Sequence, residues 1–259
     1  MKSFFGGLVS AVYSAYVILL FFVFTPLVLV YYILISPFPT NTRMRLVYKC
    51  HWVWMTIWAF MSGIKMEVQG KEKLVYDQTY VFLPNHSNLF DIVLAGSRIQ
   101  HPFKPLAKRE LWRIPFLGQL FAMAAIPVDR SSKESRAHSF ELMVSAVKKG
   151  TSILIFPEGT RNRTAAPLKA FYDGGFRLAI AGQVPIMPVM LLNVRQLQPV
   201  GTFRVYPGRV SLHFLDPIPV TGLTENDVES LKKQVYDLME KYILANDSWF
   251  IAQNHLKQS

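Results

Sequence analysis

The chain begins with a long apolar stretch. Residues 4–36 contain no charged side chain, and roughly 20 apolar residues are enough to cross the hydrocarbon core of a bilayer. Pro26 lies inside this stretch, where a proline removes a helical hydrogen bond and therefore predicts a kink or a break. Two interpretations follow: one kinked spanning helix, or the first arm of a helical pair that dips into one leaflet.

A second apolar stretch, residues 51–66, follows a polar and basic connector at residues 37–50. It contains Trp52, Trp54 and Trp58, and indole rings favour the interface between membrane and water. This predicts an interfacial or re-entrant helix, with an ordinary core helix of a soluble domain as the alternative. We assign residues 1–66 to N-terminal membrane-associated helices and residues 67–259 to a second domain. The basic residues of the connector favour the cytoplasm for the C-terminal side.

From about residue 67 the pattern changes to short apolar runs that end in polar turns and are followed by helical stretches. The predicted strands cover residues 79–85, 103–107, 124–128, 152–156, 185–194 and 209–215. The predicted helices lie near residues 88–99, 109–121, 131–149, 170–181 and 224–244. This alternation indicates an α/β domain with a mostly parallel sheet flanked by helices.

Charge and composition limit the classes of molecule that the protein is expected to bind. The net charge is +11 and 51% of the residues are hydrophobic, which together favour anionic membrane lipid or an acidic carrier. No paired Cys/His spacing and no aromatic RNA-binding motif accompanies the charge, so we expect no nucleic-acid partner. The single cysteine, Cys50, excludes internal disulfides and a thiolate zinc cage.

The first motif is NHSNLFD at residues 85–91, directly after a predicted strand. A strand–turn–helix can fold the Asp91 carboxylate back toward His86. In such a pair the imidazole takes the proton of an attacking hydroxyl, and the carboxylate fixes the tautomer and stabilises the imidazolium. The spacing alone is a weak signal. Asp91 also fits an early helical position behind an Asn88 N-cap, where it would offset the helix dipole, and His86 could be satisfied within a turn.

The second motif is FPEGTR at residues 156–161, which follows another predicted strand. Ligands bind beyond the carboxyl ends of parallel strands, so we expect both motifs to open onto one crevice. Gly159 permits an unusual backbone, and the planar guanidinium of Arg161 suits a phosphate. Glu158 would hold Arg161 in place or accept a glycerol hydroxyl. The alternative is a strand-terminating turn with a surface ion pair.

With these motifs the chain resembles the 1-acyl-glycerol-3-phosphate O-acyltransferase family of glycerolipid acyltransferases. NHSNLFD matches the H-x4-D box of that family, and FPEGTR matches its phosphate-site box. AKRELWRIPFLG (107–118) with AIPVDR (125–130) resembles the second box, and VPIMPV (184–189) resembles the fourth. The resemblance covers roughly residues 80–190. It implies an α/β catalytic domain and a helical membrane motif at the N-terminus. The basic connector places this catalytic domain on the cytoplasmic face.

The resemblance also implies a reaction and its residues. A fatty acyl group would pass from acyl-CoA or acyl-carrier protein to the sn-2 hydroxyl of 1-acyl-glycerol 3-phosphate, giving phosphatidic acid, with no metal and no resident cofactor. His86 would be the base, Asp91 its orienting partner and Lys108 a stabiliser of the developing oxyanion. The acceptor phosphate site would comprise Glu158, Gly159, Thr160 and Arg161, with Arg130 nearby.

Two departures from the family pattern touch the acceptor site. Pro127 and its neighbours replace the glycine that commonly precedes the arginine of the second box, and FYDG at residues 171–174 replaces a Phe-Lys-x-Gly pattern, with Lys169 displaced upstream. Another lysophospholipid or a lyso-ornithine lipid therefore stays open as the acceptor. A non-catalytic membrane lipid-binding protein would explain the apolar segment and the charge, but not both motifs together. A serine thioesterase or lipase would need a G-x-S-x-G elbow, and the sequence has none.

Overall fold

A computed structural model of the protein describes residues 2–88, 90–114, 118, 124–128, 132–199 and 201–258. The helices within these ranges are α1 (Lys2–Ile35), α2 (Thr40–Met61), α3 (Asp91–Arg98), α4 (Lys133–Lys148), α5 (Gly174–Gly182), α6 (Val194–Leu197), α7 (Val228–Asn246) and α8 (Ser248–Gln258). The strands are β1 (Ile64–Gln69), β2 (Val81–Pro84), β3 (Phe103–Lys108), β4 (Ile126–Val128), β5 (Ser152–Leu154), β6 (Ile186–Leu192) and β7 (Gly208–Phe214). Short 3-10 turns cover Lys71–Lys73, Arg109–Arg113 and Glu225–Asp227.

The strands form one sheet in the order β1-β7-β6-β2-β5-β3-β4. All neighbours are parallel except β6 and β7, which are antiparallel. Strand β2 lies between β5 and β6, with Val81 opposite Ile153 on one side and Ile186 on the other. The predicted α/β class with a mostly parallel sheet is therefore confirmed.

Helices cover both faces of the sheet. On one face Val81 and Leu83 of β2 pack with α4, α5 and α7. On the opposite face Phe82 packs with α1, α2 and α3, against side chains that include Trp58 and Leu94. Because successive strand residues point to opposite faces, β2 contributes to both cores, and each fully buried large apolar side chain stabilises the fold by about 1.5–3 kcal/mol.

Helix α1 is continuous from Lys2 to Ile35 and runs through Pro26 without the break that the sequence allowed. Among the described residues, Gly7–Ile35 is the one helical stretch whose length and apolar character would let it cross a membrane, with a mean hydropathy of 2.7. The helix is held against the rest of the chain by polar contacts. Trp58 Nε1 donates to the Val17 carbonyl at 3.1 Å, and the Val205 N–H donates to Ser14 Oγ at 2.8 Å.

The N-terminal part of the sheet differs from the sequence interpretation. The helix expected over residues 51–66 ends at Met61, and Gly63 turns the chain with a φ of 61°. Residues Ile64–Gln69 then form β1, which pairs with β7. The predicted helix at residues 109–121 is a 3-10 turn over Arg109–Arg113, and most of the remainder lies outside the described residues. Residues Ser248–Gln258, beyond the last predicted helix, form α8.

Candidate active site

The two sequence motifs lie side by side because β2 and β5 are neighbours in the sheet and run in the same direction. Asn85 marks the point where the chain leaves β2. Its buried side chain donates to the Leu191 carbonyl at 3.0 Å and accepts from the Leu191 N–H at 2.7 Å. These two bonds tie the end of β2 to β6 and fix the direction of the following turn.

The first motif folds as the pairing hypothesis requires. His86 Nδ1 lies 2.8 Å from Asp91 Oδ2, and the same oxygen accepts the N–H groups of Ser87 at 2.7 Å and Asn88 at 2.8 Å. The Asp91 side chain is fully buried. A carboxylate accepts, so Nδ1 carries the proton and Nε2 is left free to take another. Helix α3 begins at Asp91 itself, so Asn88 is not the N-cap of this helix.

An aromatic ring from the second motif supports the imidazole. The Phe156 ring stacks on His86 with centroids 4.1 Å apart and an interplanar angle of 23°. The His86 side chain is 19% exposed. Held by Asp91 on one edge and by Phe156 on one face, the imidazole has a fixed orientation, as a positioned base needs.

Glu158 links the two motifs from inside the protein. Its Oε1 accepts the His86 N–H at 2.7 Å, and its Oε2 accepts the Lys169 N–H at 2.9 Å. Burial raises the pKa of this carboxyl to about 7, although both N–H bonds act in the opposite direction. Only 1% of the residue is exposed. The expected contact with Arg161 is therefore replaced by a positioning contact with the main chain of His86.

The rest of FPEGTR turns back on itself. Gly159 has a φ of 67°, a left-handed conformation that favours glycine. The chain then returns, and the Tyr172 N–H donates to the Pro157 carbonyl at 2.9 Å. This loop brings Lys169 Nζ to 2.6 Å from Thr160 Oγ1. The lysine that the sequence places upstream of its usual position thus lies beside the second motif.

One cavity of about 600 Å³ is bordered by five of the predicted site residues. Its lining includes His86, Lys108, Gly159, Thr160 and Arg161. Lys108 is exposed at the end of β3, the strand next to β5. Arg130 lies outside the described residues. The cavity combines a positioned imidazole with cationic side chains, which suits deprotonation of a hydroxyl on a molecule that carries a phosphate.

Comparisons with known proteins agree with this chemistry. The acyltransferase family model matches residues 65–192. The 1-acyl-sn-glycerol-3-phosphate acyltransferase of Salmonella typhimurium is 32% identical over 189 residues, which cover 72% of this chain and 76% of that protein. The chain belongs to the 1-acyl-sn-glycerol-3-phosphate acyltransferase family. The Escherichia coli relative is 31% identical over 190 residues, covering 72% and 76% of the two chains.

Two further proteins are similar to this acyltransferase, one in sequence and one in structure. The human 1-acyl-sn-glycerol-3-phosphate acyltransferase alpha is 29% identical over 178 residues, which cover 68% of this chain and 62% of that protein. The crystal structure of the 1-acyl-sn-glycerophosphate acyltransferase from Thermotoga maritima superposes with a TM-score of 0.77. It covers 92% of this chain and 95% of its own at 22% identity, which shows a common fold.

The acyltransferase contains a buried arginine near the site that the sequence motifs do not include. Arg195 donates to the carbonyls of Thr164 at 2.7 Å and Ala166 at 2.8 Å, in the loop directly after FPEGTR. Its guanidinium lies 4.9 Å from the Trp249 ring centroid and 4.8 Å from that of Phe250, both on α8. Burial lowers its pKa. Arg195 thus connects the C-terminal helix to the loop that follows the second motif.

Proposed function

We propose that this acyltransferase moves a fatty acyl group from the thioester of acyl-CoA or acyl-carrier protein to the sn-2 hydroxyl of 1-acyl-glycerol 3-phosphate. The product is phosphatidic acid. The observation that carries the proposal is the cavity lined by both Arg161 and His86, whose imidazole is held by the buried Asp91. The family relationship supports the same acceptor, since the relatives named above are 1-acyl-sn-glycerol-3-phosphate acyltransferases.

The transfer proceeds by direct attack within a ternary complex. His86 Nε2 takes the proton of the acceptor hydroxyl while the hydroxyl oxygen bonds to the thioester carbonyl carbon. Asp91 stabilises the imidazolium that forms. The tetrahedral intermediate collapses as the carbon–sulfur bond breaks, and the thiolate leaves with the proton that His86 carried. The products are the new ester and a free thiol, and no metal or resident cofactor takes part.

The cationic side chains of the cavity divide between two tasks. Lys108 stabilises the oxyanion that develops on the carbonyl oxygen by placing a positive charge beside it. Arg161 binds the acceptor phosphate with its planar guanidinium, and Lys169 beside Thr160 adds a second positive charge nearby. Binding the phosphate holds the sn-2 hydroxyl near the base and thereby lowers the entropic cost of the reaction.

The proposed location is a membrane, with the catalytic domain on the cytoplasmic face. Helix α1 has the length and apolar character for membrane contact, and only 28% of its most apolar part is buried within the protein. A net charge of +11 attracts anionic lipid, at about 1 kcal/mol for each basic residue close to the surface. The protein would thus stay where the lysolipid acceptor lies.

The base is tested with His86→Ala in the full-length protein, assayed with lysophosphatidate and each thioester donor. We expect kcat to fall by roughly 10²–10⁴, the usual contribution of a general base. His138→Ala is the matched control, because His138 is exposed on α4 and does not border the cavity. Near-normal turnover by a folded His86→Ala protein would refute the assignment.

The acceptor is tested with Arg161→Ala against a panel of lysolipids that includes lysophosphatidate, lysophosphatidylcholine and a lyso-ornithine lipid. We expect the KM for lysophosphatidate to rise by at least about tenfold, while the values for acceptors without a terminal phosphate change little. Arg209→Ala, at an exposed arginine of β7, is the control. Equal losses for all acceptors would contradict the phosphate role and leave the acyltransferase class intact.

A further inference from the structure

Three side cavities within the described part of the chain continue from the cavity around His86. An apolar cavity between α2 and α3 shares Ile92 and Pro105 with it. A small polar cavity of about 40 Å³ shares Arg161 and Arg163. The third has a volume of about 520 Å³ and lies between α4 and the N-terminal end of α5. We call this third cavity the α4–α5 groove; it shares with the His86 cavity Leu106, Val128, Ile155, Phe156 and Gly159.

The α4–α5 groove combines an apolar floor with a polar rim. Phe140 and Met143 of α4 form part of the floor. The rim includes Arg136, which is exposed, and Tyr172, which is 65% exposed. At Gly174 a side chain would meet nothing within 4 Å, so the first turn of α5 leaves space along the groove. Such a groove fits a flexible chain that has apolar and polar segments and ends in a charged group.

Some charges at the groove are already paired. Asp173 lies in its lining, and Lys232 binds that carboxylate at 2.7 Å. Arg177, also in the lining, is paired with Glu225 at 2.9 Å. Arg136 forms no ion pair with another described residue, and its Nε donates to the Ser132 carbonyl at 3.1 Å. Arg136 is therefore the rim charge that is best placed for an anionic group.

The groove and the N-terminal helices lie on opposite faces of the sheet. Helices α1 and α2 pack on the face that holds Phe82, whereas α4 and α5 pack on the face that holds Val81 and Leu83. The apolar side cavity lies on the first face, among α1 and α2 residues that include Phe21 and Trp54. With α1 at the membrane, as proposed above, a lipid substrate approaches from the side of α1 and α2, and the α4–α5 groove opens on the opposite face of the sheet.

The chemistry of the transfer assigns an occupant to each side cavity. In the tetrahedral intermediate the former carbonyl carbon carries an acyl chain, the donor sulfur and the acceptor oxygen, and these three substituents diverge. The apolar cavity suits a hydrocarbon chain, and the small cavity with two arginines suits the acceptor phosphate. We propose that the α4–α5 groove binds the phosphopantetheine arm that acyl-CoA and acyl-carrier protein share, an inference that rests on the proposed function. The water-soluble remainder of either donor stays outside the groove, away from the membrane.

The first test fills the groove. In Ala137→Trp an indole replaces a methyl group on the groove side of α4; Ala137 is exposed, so the core is left intact. We expect the KM for acyl-CoA and for acyl-carrier protein to rise by at least about tenfold while the KM for lysophosphatidate is unchanged. His138→Trp is the matched control, because His138 is the next residue of the same helix, is exposed and does not line the groove.

The second test reverses the rim charge. Arg136→Glu repels the donor phosphate, and Lys133→Glu makes the same change of charge at an exposed position one turn earlier, outside the groove. We expect only Arg136→Glu to raise the donor KM. An acyl-N-acetylcysteamine thioester lacks the phosphate, so its KM should be the same in the wild type and in Arg136→Glu.

The outcomes separate this inference from the proposed function. A wild-type protein that acylates lysophosphatidate, together with an unchanged donor KM in Ala137→Trp, refutes the groove assignment and leaves the proposed function standing. In a wild type that uses both donors, an effect with one donor alone overturns the assignment to the shared arm. A rise in the lysophosphatidate KM overturns it whichever donor is used. A wild-type protein without turnover on either donor refutes the proposed function itself.

Discussion

The charge of Asp91 can be removed with little change in shape. In Asp91→Asn the amide oxygen can occupy the place of Oδ2 and accept the same three hydrogen bonds, from His86 Nδ1 and from the N–H groups of Ser87 and Asn88. The amide nitrogen then takes the place of Oδ1, which has no hydrogen-bond partner in the described ranges of the chain. The substitution therefore isolates the contribution of the negative charge beside the imidazole.

The size of the effect follows from the geometry. When His86 takes the acceptor proton, the imidazolium edge lies 2.8 Å from a fully buried carboxylate. Unit charges about 4 Å apart interact by about 4 kcal/mol at an effective dielectric constant of about 20. Because each 1.36 kcal/mol corresponds to about a tenfold change in rate, loss of this interaction should lower kcat by about 10³. The buried amide N–H group that gains no partner should also lower the free energy of unfolding, by about 1–3 kcal/mol.

The assay measures kcat at saturating lysophosphatidate and donor, with chemical denaturation in parallel. The control is Asp237→Asn, which removes an exposed carboxylate from α7. The expected result is a large loss of kcat with the variant still folded at the assay temperature. A kcat within about threefold of the wild-type value would show that the charge of Asp91 does not support the base.

Three further predictions concern the surroundings of the base. Arg195→Lys lacks the planar fork that bonds both the Thr164 and the Ala166 carbonyl, so the free energy of unfolding of this variant should fall by about 1–3 kcal/mol. The control is Arg209→Lys, at an exposed arginine. A variant as stable as the control would contradict the bidentate role of Arg195. Gly159→Ala places a side chain at a φ of 67° and should lower the free energy of unfolding by about 1–2 kcal/mol, which is measured as a lower Tm. An unchanged Tm would mean that this turn tolerates a Cβ. The pKa of Glu158 is raised from 4.5 to about 7, so the folded protein retains a proton that the unfolded chain loses between these values. Its unfolding free energy should therefore fall by up to about 3 kcal/mol as pH rises from about 4.5 to about 7, and this slope should be absent in Glu158→Gln; the same slope in both proteins would refute the assignment.

The strands that carry the motifs could be predicted because each is a short, continuous apolar run. Residues 186–192 are buried without exception, which is the pattern of a central strand covered on both faces. Strand β1 escaped prediction for a physical reason. Its apolar residues, Ile64, Met66 and Val68, alternate with polar ones and follow closely on an apolar helix. The alternating pattern of a strand therefore lasts only six residues, which is too short to stand out from the helical pattern before it.

The candidate site could be predicted only where its contacts are local. The His86–Asp91 bond joins residues five positions apart, and a single turn suffices to form it. The Glu158 bond to His86 spans 72 positions and exists because β5 lies next to β2. The sequence of FPEGTR therefore suggested that Glu158 contacts a ligand. The strand order instead places its carboxylate in a buried contact with the main chain of His86. Arg195 has no sequence signal at all, since its partners come from the loop after FPEGTR and from α8.

Hydrogen bonds from the second motif and from Asn162, the residue directly after it, hold both main-chain groups of His86. Its N–H donates to Glu158 Oε1 at 2.7 Å, and its carbonyl accepts the Asn162 N–H at 2.6 Å. These two bonds lie on either side of Arg161 in the sequence, so the loop that carries this arginine cannot shift without moving the base. The distance between the base and the proposed phosphate site is therefore set by the fold before any substrate binds. An acceptor anchored by its phosphate then presents its hydroxyl to His86 with little further loss of entropy, which favours transfer to this acceptor over hydrolysis by unanchored water.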